Sequence, residues 1–171
     1  MILETEQLVL RYTQLSDQQR LIDIIFSDAE VMAYLPYGRA LTQEEALDFI
    51  TSYFPTEKEH IGLFTIEEKK TGTVVGFAGC VPFSAMGQDD VEFGFGFGKA
   101  YWNSGYGTEI ATAFNHYILE VVKYPRFMAL VYPENAPSIH VLEKLGYQYI
   151  DTIDLPNRGE RRVYYIDARS C

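Results

Sequence analysis

Apolar positions recur along the chain with two different periods, and the switches between them mark the elements. Leu8-Val9-Leu10-Arg11-Tyr12 reads as a first strand. Ser16-Asp17 can cap a helix through about Phe26, and a shorter helical stretch follows from Ala29 to Tyr34. Thr42 with Glu45 three positions on is a capping-box signal for a helix to about Tyr53. Gly62 to Glu67 and Val74 to Val81 are strands joined by the turn Lys69-Lys70-Thr71-Gly72, and Val91 to Phe97 is the next strand. Gly105 opens a long helix whose apolar face is Ile110, Ala113, Phe114, Tyr117, Ile118, Val121 and Val122. Phe127 to Tyr132 is almost continuously apolar, as a strand covered on both faces should be. Asn135 and Pro137 begin a helix with Ile139, Leu142 and Leu145 inward and Gly146 at its end. Tyr147 to Ile153, the turn Asn157-Arg158-Gly159 and Val163 to Ile166 form a closing hairpin. The expectation is a mixed α/β domain, antiparallel in its first half and β-α-β-α-β-β in its second.

At 171 residues one domain spanning 1–171 is expected, with a self-sufficient core. The 24 acidic against 14 basic residues give a net charge of −10, which repels phosphate backbones and anionic lipid. Nucleic acid and membrane are therefore excluded as expected partners. No apolar run of about 18 residues is present and the N-terminal stretch has no signal-peptide pattern. Cys80 and Cys171 make no disulfide framework, so a cytoplasmic setting is the expectation. His60, His116 and His140 lack metal-ligand spacing, and no metal is expected.

The chemistry is concentrated between Glu92 and Glu109, where a strand passes through a Gly-bearing turn into a helix. Free N–H groups at a helix start favour an anion, and Gly105 and Gly107 remove side chains where a phosphate would approach. The alternative is that these glycines only let the helix pack close to the sheet. The triphosphate-binding pattern G-x-x-x-x-G-K-S/T and the dinucleotide pattern G-x-G-x-x-G are both absent, and Gly94, Gly96 and Gly98 are spaced as in a strand or bulge. A pyrophosphate remains the natural ligand.

Trp102-Asn103-Ser104-Gly105-Tyr106-Gly107 resembles the pyrophosphate motif Gln/Arg-x-x-Gly-x-Gly/Ala of the GNAT acetyltransferases. Within that family the chain resembles the branch of ribosomal-protein N-terminal (RimJ/RimL-like) acetyltransferases. Glu92, Gly94, Phe95, Trp102, Gly105, Tyr106, Gly107, Thr108 and Glu109 fall in register with one motif of that branch. Asn135, Ser138, Val141 to Gly146 and Tyr147 match a second, and the opening Leu3 to Arg11 a third, with Gln7 in place of Arg. The resemblance implies a mostly antiparallel sheet of about seven strands flanked by helices and splayed between the fourth and fifth. It implies acetyl-CoA as acyl donor and N-acetyltransferase activity toward a primary amine, on a protein N-terminus or a small molecule. It also implies a monomer or a homodimer paired through the closing strand. Backbone groups of Phe97 and Gly98 would meet the pantetheine arm and thioester, and amides from Trp102, Asn103, Ser104, Gly105, Tyr106, Gly107 and Thr108 would hold the diphosphate. Trp102 cannot wrap a phosphate as Arg does, so its contact would be through the backbone.

Acyl transfer to an amine needs a base, and Glu92 is the candidate, through a water. Its apolar neighbours Val91 and Phe93 suggest burial that would raise its pKa. The alternative is a carboxylate facing solvent or bonding a neighbouring strand. The family's usual acidic Tyr falls at Leu142 here. Ser138 can donate a hydrogen bond near the sulfur or cap its helix, and Asn135 can bond the cofactor's amide arm or cap the same helix. The acceptor pocket is expected from Ala33 to Arg39, Met86-Gly87 and the closing hairpin, with Phe26, Tyr34, Tyr37 and Arg39 as lining residues. The missing Tyr leaves a second reading open, a catalytically weak acyl-CoA-binding module acting as a sensor. A dinucleotide enzyme is disfavoured by the missing fingerprint and the antiparallel first half.

Overall fold

The structure, a computed structural model, describes residues 1–167. Its strands are β1 (Leu3–Glu4), β2 (Leu8–Arg11), β3 (Gly62–Glu68), β4 (Thr73–Phe83), β5 (Asp90–Phe97), β6 (Arg126–Val131), β7 (Gln148–Leu155) and β8 (Gly159–Asp167). They form one sheet in the order β1-β2-β3-β4-β5-β6-β8-β7. All neighbours are antiparallel except β5 and β6. The extra strand relative to the pattern-based expectation is β1, whose two residues are too few for an alternation to register. Cys171 lies outside the described residues.

The helices sort onto the two faces. α1 (Gln18–Leu21) runs on through a π-helical turn, Ile22–Phe26, and α2 (Ala29–Met32) and α3 (Gln43–Tyr53) join it on one face. Their apolar residues pack with Leu63, Val74 and Phe77 of β3 and β4. On the other face, α4 (Tyr106–His116), its π-helical extension Tyr117–Val121 and α5 (Ala136–Lys144) cover the larger core. The predicted capping box of α3 is present: Glu45 N–H donates to Thr42 Oγ1 at 3.2 Å, and Thr42 N–H donates to Glu45 Oε2 at 2.9 Å. The first helix starts earlier than Ser16-Asp17 suggests. Gln14 N–H donates to Asp17 Oδ2 at 2.8 Å, while the same carboxylate binds Arg11. Asp17 thus closes the first turn from within it, held by a cation on β2.

Alternation along β5 decides what the sheet offers to a ligand. Val91, Phe93, Phe95 and Phe97 point to the α4 side, where Phe93 stacks on Phe114 at 5.1 Å between ring centroids. Glu92, Gly94 and Gly96 point to the opposite face. That face is covered at one end by the α1–α3 cluster and at the other by Phe83, Met128 and Val163. Between the two clusters lies a gap.

β5 and β6 share only two register positions, Glu92 opposite Met128 and Phe93 opposite Ala129. Beyond them the two strands part. This is the splay expected between the fourth and fifth strands, which are β5 and β6 once β1 is counted.

Phe26 belongs to the core and not to a substrate pocket. It is 2% exposed, stacks on Phe77 at 5.9 Å and meets Phe49 and Phe54 edge-on. Its place at the end of the π-helical turn points it down onto the sheet. Phe26→Ala is expected to lower stability by about 3–5 kcal/mol, read from the midpoint of urea unfolding. A loss under about 1 kcal/mol would show that the ring is not packed as described.

Candidate active site

The parting of β5 and β6 opens a cavity of about 980 Å³ that runs from the turn before α4 to the β7–β8 hairpin. Its walls include Gly94 to Phe97 of β5, Ala129 to Val131 of β6, the start of α5 and the loop after α2.

The backbone of β5 faces this cavity at defined positions. Gly98 N–H donates to the Val75 carbonyl at 3.0 Å, so the opposed residues Phe97 and Gly76 form a non-hydrogen-bonded pair. In an antiparallel ladder the backbone groups of Phe93, Phe95 and Phe97 then turn away from β4. Phe93 finds Ala129, whereas Phe95 and Phe97 turn toward the cavity because pairing with β6 has ended. The Phe97 carbonyl is taken by the Trp102 indole N–H at 2.9 Å, which leaves the Phe97 N–H facing inward. Gly98 offers no free N–H here: its N–H donates to Val75, and its carbonyl accepts from Tyr101 N–H at 2.9 Å. The alternation that turns the Phe97 N–H inward turns the Gly98 N–H toward β4.

The turn into α4 presents donors. Asn103 and Gly105 both have left-handed backbone, with φ of 59° and 86°, and Gly105 precedes the first helical residue. The N–H groups of Tyr106, Gly107 and Thr108 are the unpaired donors of a helix start. No protein atom accepts from them among the described residues. A Cβ on Gly105 would meet open space, whereas one on Gly107 would lie 3.1 Å from the Phe95 ring. The two glycines therefore divide the alternatives, Gly105 shaping an open turn and Gly107 letting α4 close on β5. Side chains around the turn are engaged elsewhere. Trp102 reaches back to β5, Ser104 Oγ donates to the Tyr101 carbonyl at 2.6 Å, and Tyr106 OH donates to Glu68 at 2.5 Å. The bond to Glu68 and burial push the Tyr106 hydroxyl up to about 12. Any contact of Trp102, Ser104 or Tyr106 with a diphosphate is thus through the main chain.

Glu109, one turn into α4, anchors the N-terminal segment. It accepts from the Thr5 hydroxyl, from Gln7 N–H at 2.8 Å and from Gln7 Nε2 at 2.7 Å. At the start of α5, Asn135 Oδ1 accepts from Ser138 N–H at 3.3 Å, so Asn135 is a helix cap that also lines the cavity. The Ser138 hydroxyl lines it too and has no partner among the described residues. Leu142 is buried against the same wall.

Glu92 lines the cavity, but its surroundings are an ion pair and not an apolar pocket. Arg158 Nη1 and Nη2 donate to its two oxygens at 2.8 and 2.7 Å. The neighbours Val91 and Phe93 point to the other face, so they do not set its environment. Burial works against the Arg158 charge, and the two bonds to Glu92 outweigh it, holding its pKa above the ordinary arginine value. Close by, Arg161 is 2% exposed, and its guanidinium lies 3.3 Å over the Tyr132 ring centroid. Burial pushes its pKa down.

Of the expected acceptor residues, Tyr34 and Tyr37 line the cavity. Phe26 is in the core. Arg39 is bound through both Nη atoms to Glu45 at 2.9 and 2.7 Å, outside the cavity. That pair, with the Thr42 amide, draws the Glu45 carboxyl down to about 2. Met86 packs beside the Phe83–Met128–Val163 cluster instead of in the cleft. The closing hairpin, expected to contribute to the acceptor pocket, does so through Arg158 and Arg161, two side chains that the sequence pattern does not single out. Their signal is compositional: three of the five residues from Arg158 to Arg162 are basic in a chain with 14 basic residues.

The model of the acetyltransferase (GNAT) domain matches residues 7–148. The uncharacterized protein YkkB of Bacillus subtilis (strain 168) is 32% identical over 95% of this chain and 96% of its own. A GNAT-family acetyltransferase from Bacillus anthracis superposes with a TM-score of 0.80 at 26% identity, covering 98% of both chains. A spermidine N-acetyltransferase from Vibrio cholerae, solved with CoA and spermine, shares the fold with a TM-score of 0.78 at 14% identity, covering 96% of this chain and 97% of its own. The fold is thus one shared with GNAT acetyltransferase structures, and the chain belongs to the GNAT acetyltransferase family.

Proposed function

We propose that the protein is an acetyl-CoA-dependent N-acetyltransferase in which the amine attacks the thioester directly, within the split between β5 and β6. The observation that carries this reading is the continuity of one cavity. It joins three unpaired amides at the start of α4 to the unpaired edge of β5 and ends beside a carboxylate. The donor set suits coenzyme A. Amides of Tyr106, Gly107 and Thr108 with the helix dipole match a diphosphate. The inward N–H of Phe97 and the turned-out backbone of Phe95 match the amides of an extended pantetheine arm, as an added strand would. Asn135 and Ser138 line the far side of that arm.

Acetyl-CoA supplies the activated acyl carbon. The protein's residues hold it and manage protons. Glu92 is the proton acceptor, through a water. Arg158 occupies one position on each oxygen, and an ionised carboxylate has about four acceptor positions, so capacity remains. The Ser138 hydroxyl is the group free to donate toward the departing sulfur. The acceptor is a primary amine, on a protein N-terminus or a small molecule. Kinship with the RimJ/RimL-like branch is supported by the three matched motifs. Apart from Glu92 and Gly94, those residues serve the donor end or the frame, so that kinship does not choose the acceptor.

Thiol release with a panel of amines tests the reading. Release is expected only when acetyl-CoA and an amine are both present. Glu92→Gln should lower kcat by about 100-fold or more while acetyl-CoA affinity by calorimetry stays within about threefold. A kcat within about threefold of wild type would remove Glu92 as proton acceptor and leave its pair with Arg158 as structural. Acetyl-CoA binding with no amine acetylated would favour the sensor reading, for which Leu142 at the usual tyrosine position speaks.

The glycines of β5 give a second test. A Cβ on Gly94 meets nothing within 4 Å, and the residue lines the cavity. Gly94→Val should therefore leave Tm unchanged or raise it by about 1–3 °C and raise KM for the amine by about tenfold. An unchanged KM would place the acceptor elsewhere.

A further inference from the structure

Arg161 is a buried cation without a carboxylate partner among the described residues. Its Nη1 donates to the carbonyl of Glu160 at 2.8 Å, its flat face rests on Tyr132, and Nη2 has no hydrogen-bond partner. Arg158 has a similar remainder: both Nη atoms hold Glu92, and its buried Nε is unpartnered. The two arginines leave the β7–β8 hairpin side by side and both line the cavity. A buried charge is costly unless paired, and an unused N–H on it adds to the cost. No acid that lines the cavity bonds to Arg161. Glu92 acts on it through charge alone, because both its oxygens are bound to Arg158, and Glu134 stands exposed at the start of α5, so two guanidiniums share one carboxylate.

Stacking on Tyr132 fixes the plane of the Arg161 guanidinium and leaves its edge to donate, the geometry that suits a carboxylate. The stack is itself backed by the loop that carries Tyr34 and Tyr37. A Cβ at Gly38, which has φ of 65°, would lie 3.2 Å from the Tyr132 hydroxyl. The whole chain is acidic at −10, which by bulk charge alone favours a cationic acceptor. The buried surplus of positive charge at the acceptor end reverses that expectation where it counts.

We infer that the acceptor is a small amine that also carries a carboxylate, held by the free edge of Arg161 so that its nitrogen lies toward Glu92. The inference rests on the acetyltransfer reading above and narrows its substrate. It sets this site apart from one built for a polyamine, which has no anion to offer.

The test uses the full-length protein and matched acceptors: L-phenylalanine against phenethylamine, and L-lysine against cadaverine, with spermidine and an unmodified peptide N-terminus alongside. Thiol release gives kcat/KM, and the rise in Tm of the acetyl-CoA-saturated protein gives binding independently. The acid of each pair is expected to exceed its decarboxylated partner by about tenfold or more in kcat/KM or in apparent affinity. In Arg161→Gln that ratio should fall to about one, chiefly through KM of the acid, and Arg161→Lys should restore part of it. Equal treatment of acid and amine by wild type, a preference for spermidine or the peptide, or neither turnover nor protection by any acid would overturn the inference. Should Arg161→Gln fail to fold, the wild-type ratio still decides. Calorimetry with acetyl-CoA separates the two levels: no uptake defeats the acetyltransfer reading, while uptake without preference for acids defeats only the carboxylate.

Discussion

The structure turns on a seam where a sheet stops pairing. Buried backbone N–H and C=O groups must find partners, and a sheet normally supplies them along its full width. Here β5 and β6 meet over two register positions and then separate, which leaves backbone of Phe95 and Phe97 turned into a cavity. The strands on either side are held firmly enough to prevent closure. β5 is laddered to β4 along its whole length, and β6 to β8 likewise. Aromatic packing keeps β5 flat against α4, with Phe93 on Phe114 and Gly107 giving Phe95 room. A ligand with extended amides and a terminal diphosphate answers both sets of unused donors at once. The same cavity ends beside the partly buried carboxylate of Glu92.

The N-terminal segment and the closing hairpin are remote in sequence from this seam but complete it from opposite ends. Glu109 ties the β1–β2 turn to the first coil of α4, so the donor turn is braced by residues a hundred positions earlier. Arg158 and Arg161 bring positive charge back across β6 to the other end. Charge is thus distributed by position: acidic over the chain as a whole, neutralised at Glu92, and in surplus at the buried Arg161 edge.

Much of this arrangement can be read along the chain. Strands and helices with several periods of alternation, such as β3 to β5 and α4, announce themselves, as does the Thr42–Glu45 box. The strand-turn-helix passage around Gly105 carries its own chemical meaning. What escaped the pattern did so for identifiable reasons. β1 is too short to alternate. The first helix is capped through Asp17, whose partner Arg11 sits on a strand and can be known only in three dimensions. Phe26 and Arg39 have side chains suited to a pocket, but the π-helical turn drives one into the core and Glu45 holds the other outside. Gly98 lies one residue past Phe97, and a one-residue step reverses the direction of every backbone group. Arg158 and Arg161 meet Glu92 and Tyr132 only because β8 is inserted between β6 and β7, a topological fact with no local signature.

The seam's role is tested most directly by backbone amide resonances of the labelled protein during titration with coenzyme A. Saturable shifts centred on Phe95, Phe97, Tyr106, Gly107 and Thr108 are expected, with Gly98 moving little because its N–H already belongs to Val75. Shifts absent from these amides, or gathered at the small cavity between His116 and Leu145 on the far side of α4, would contradict it.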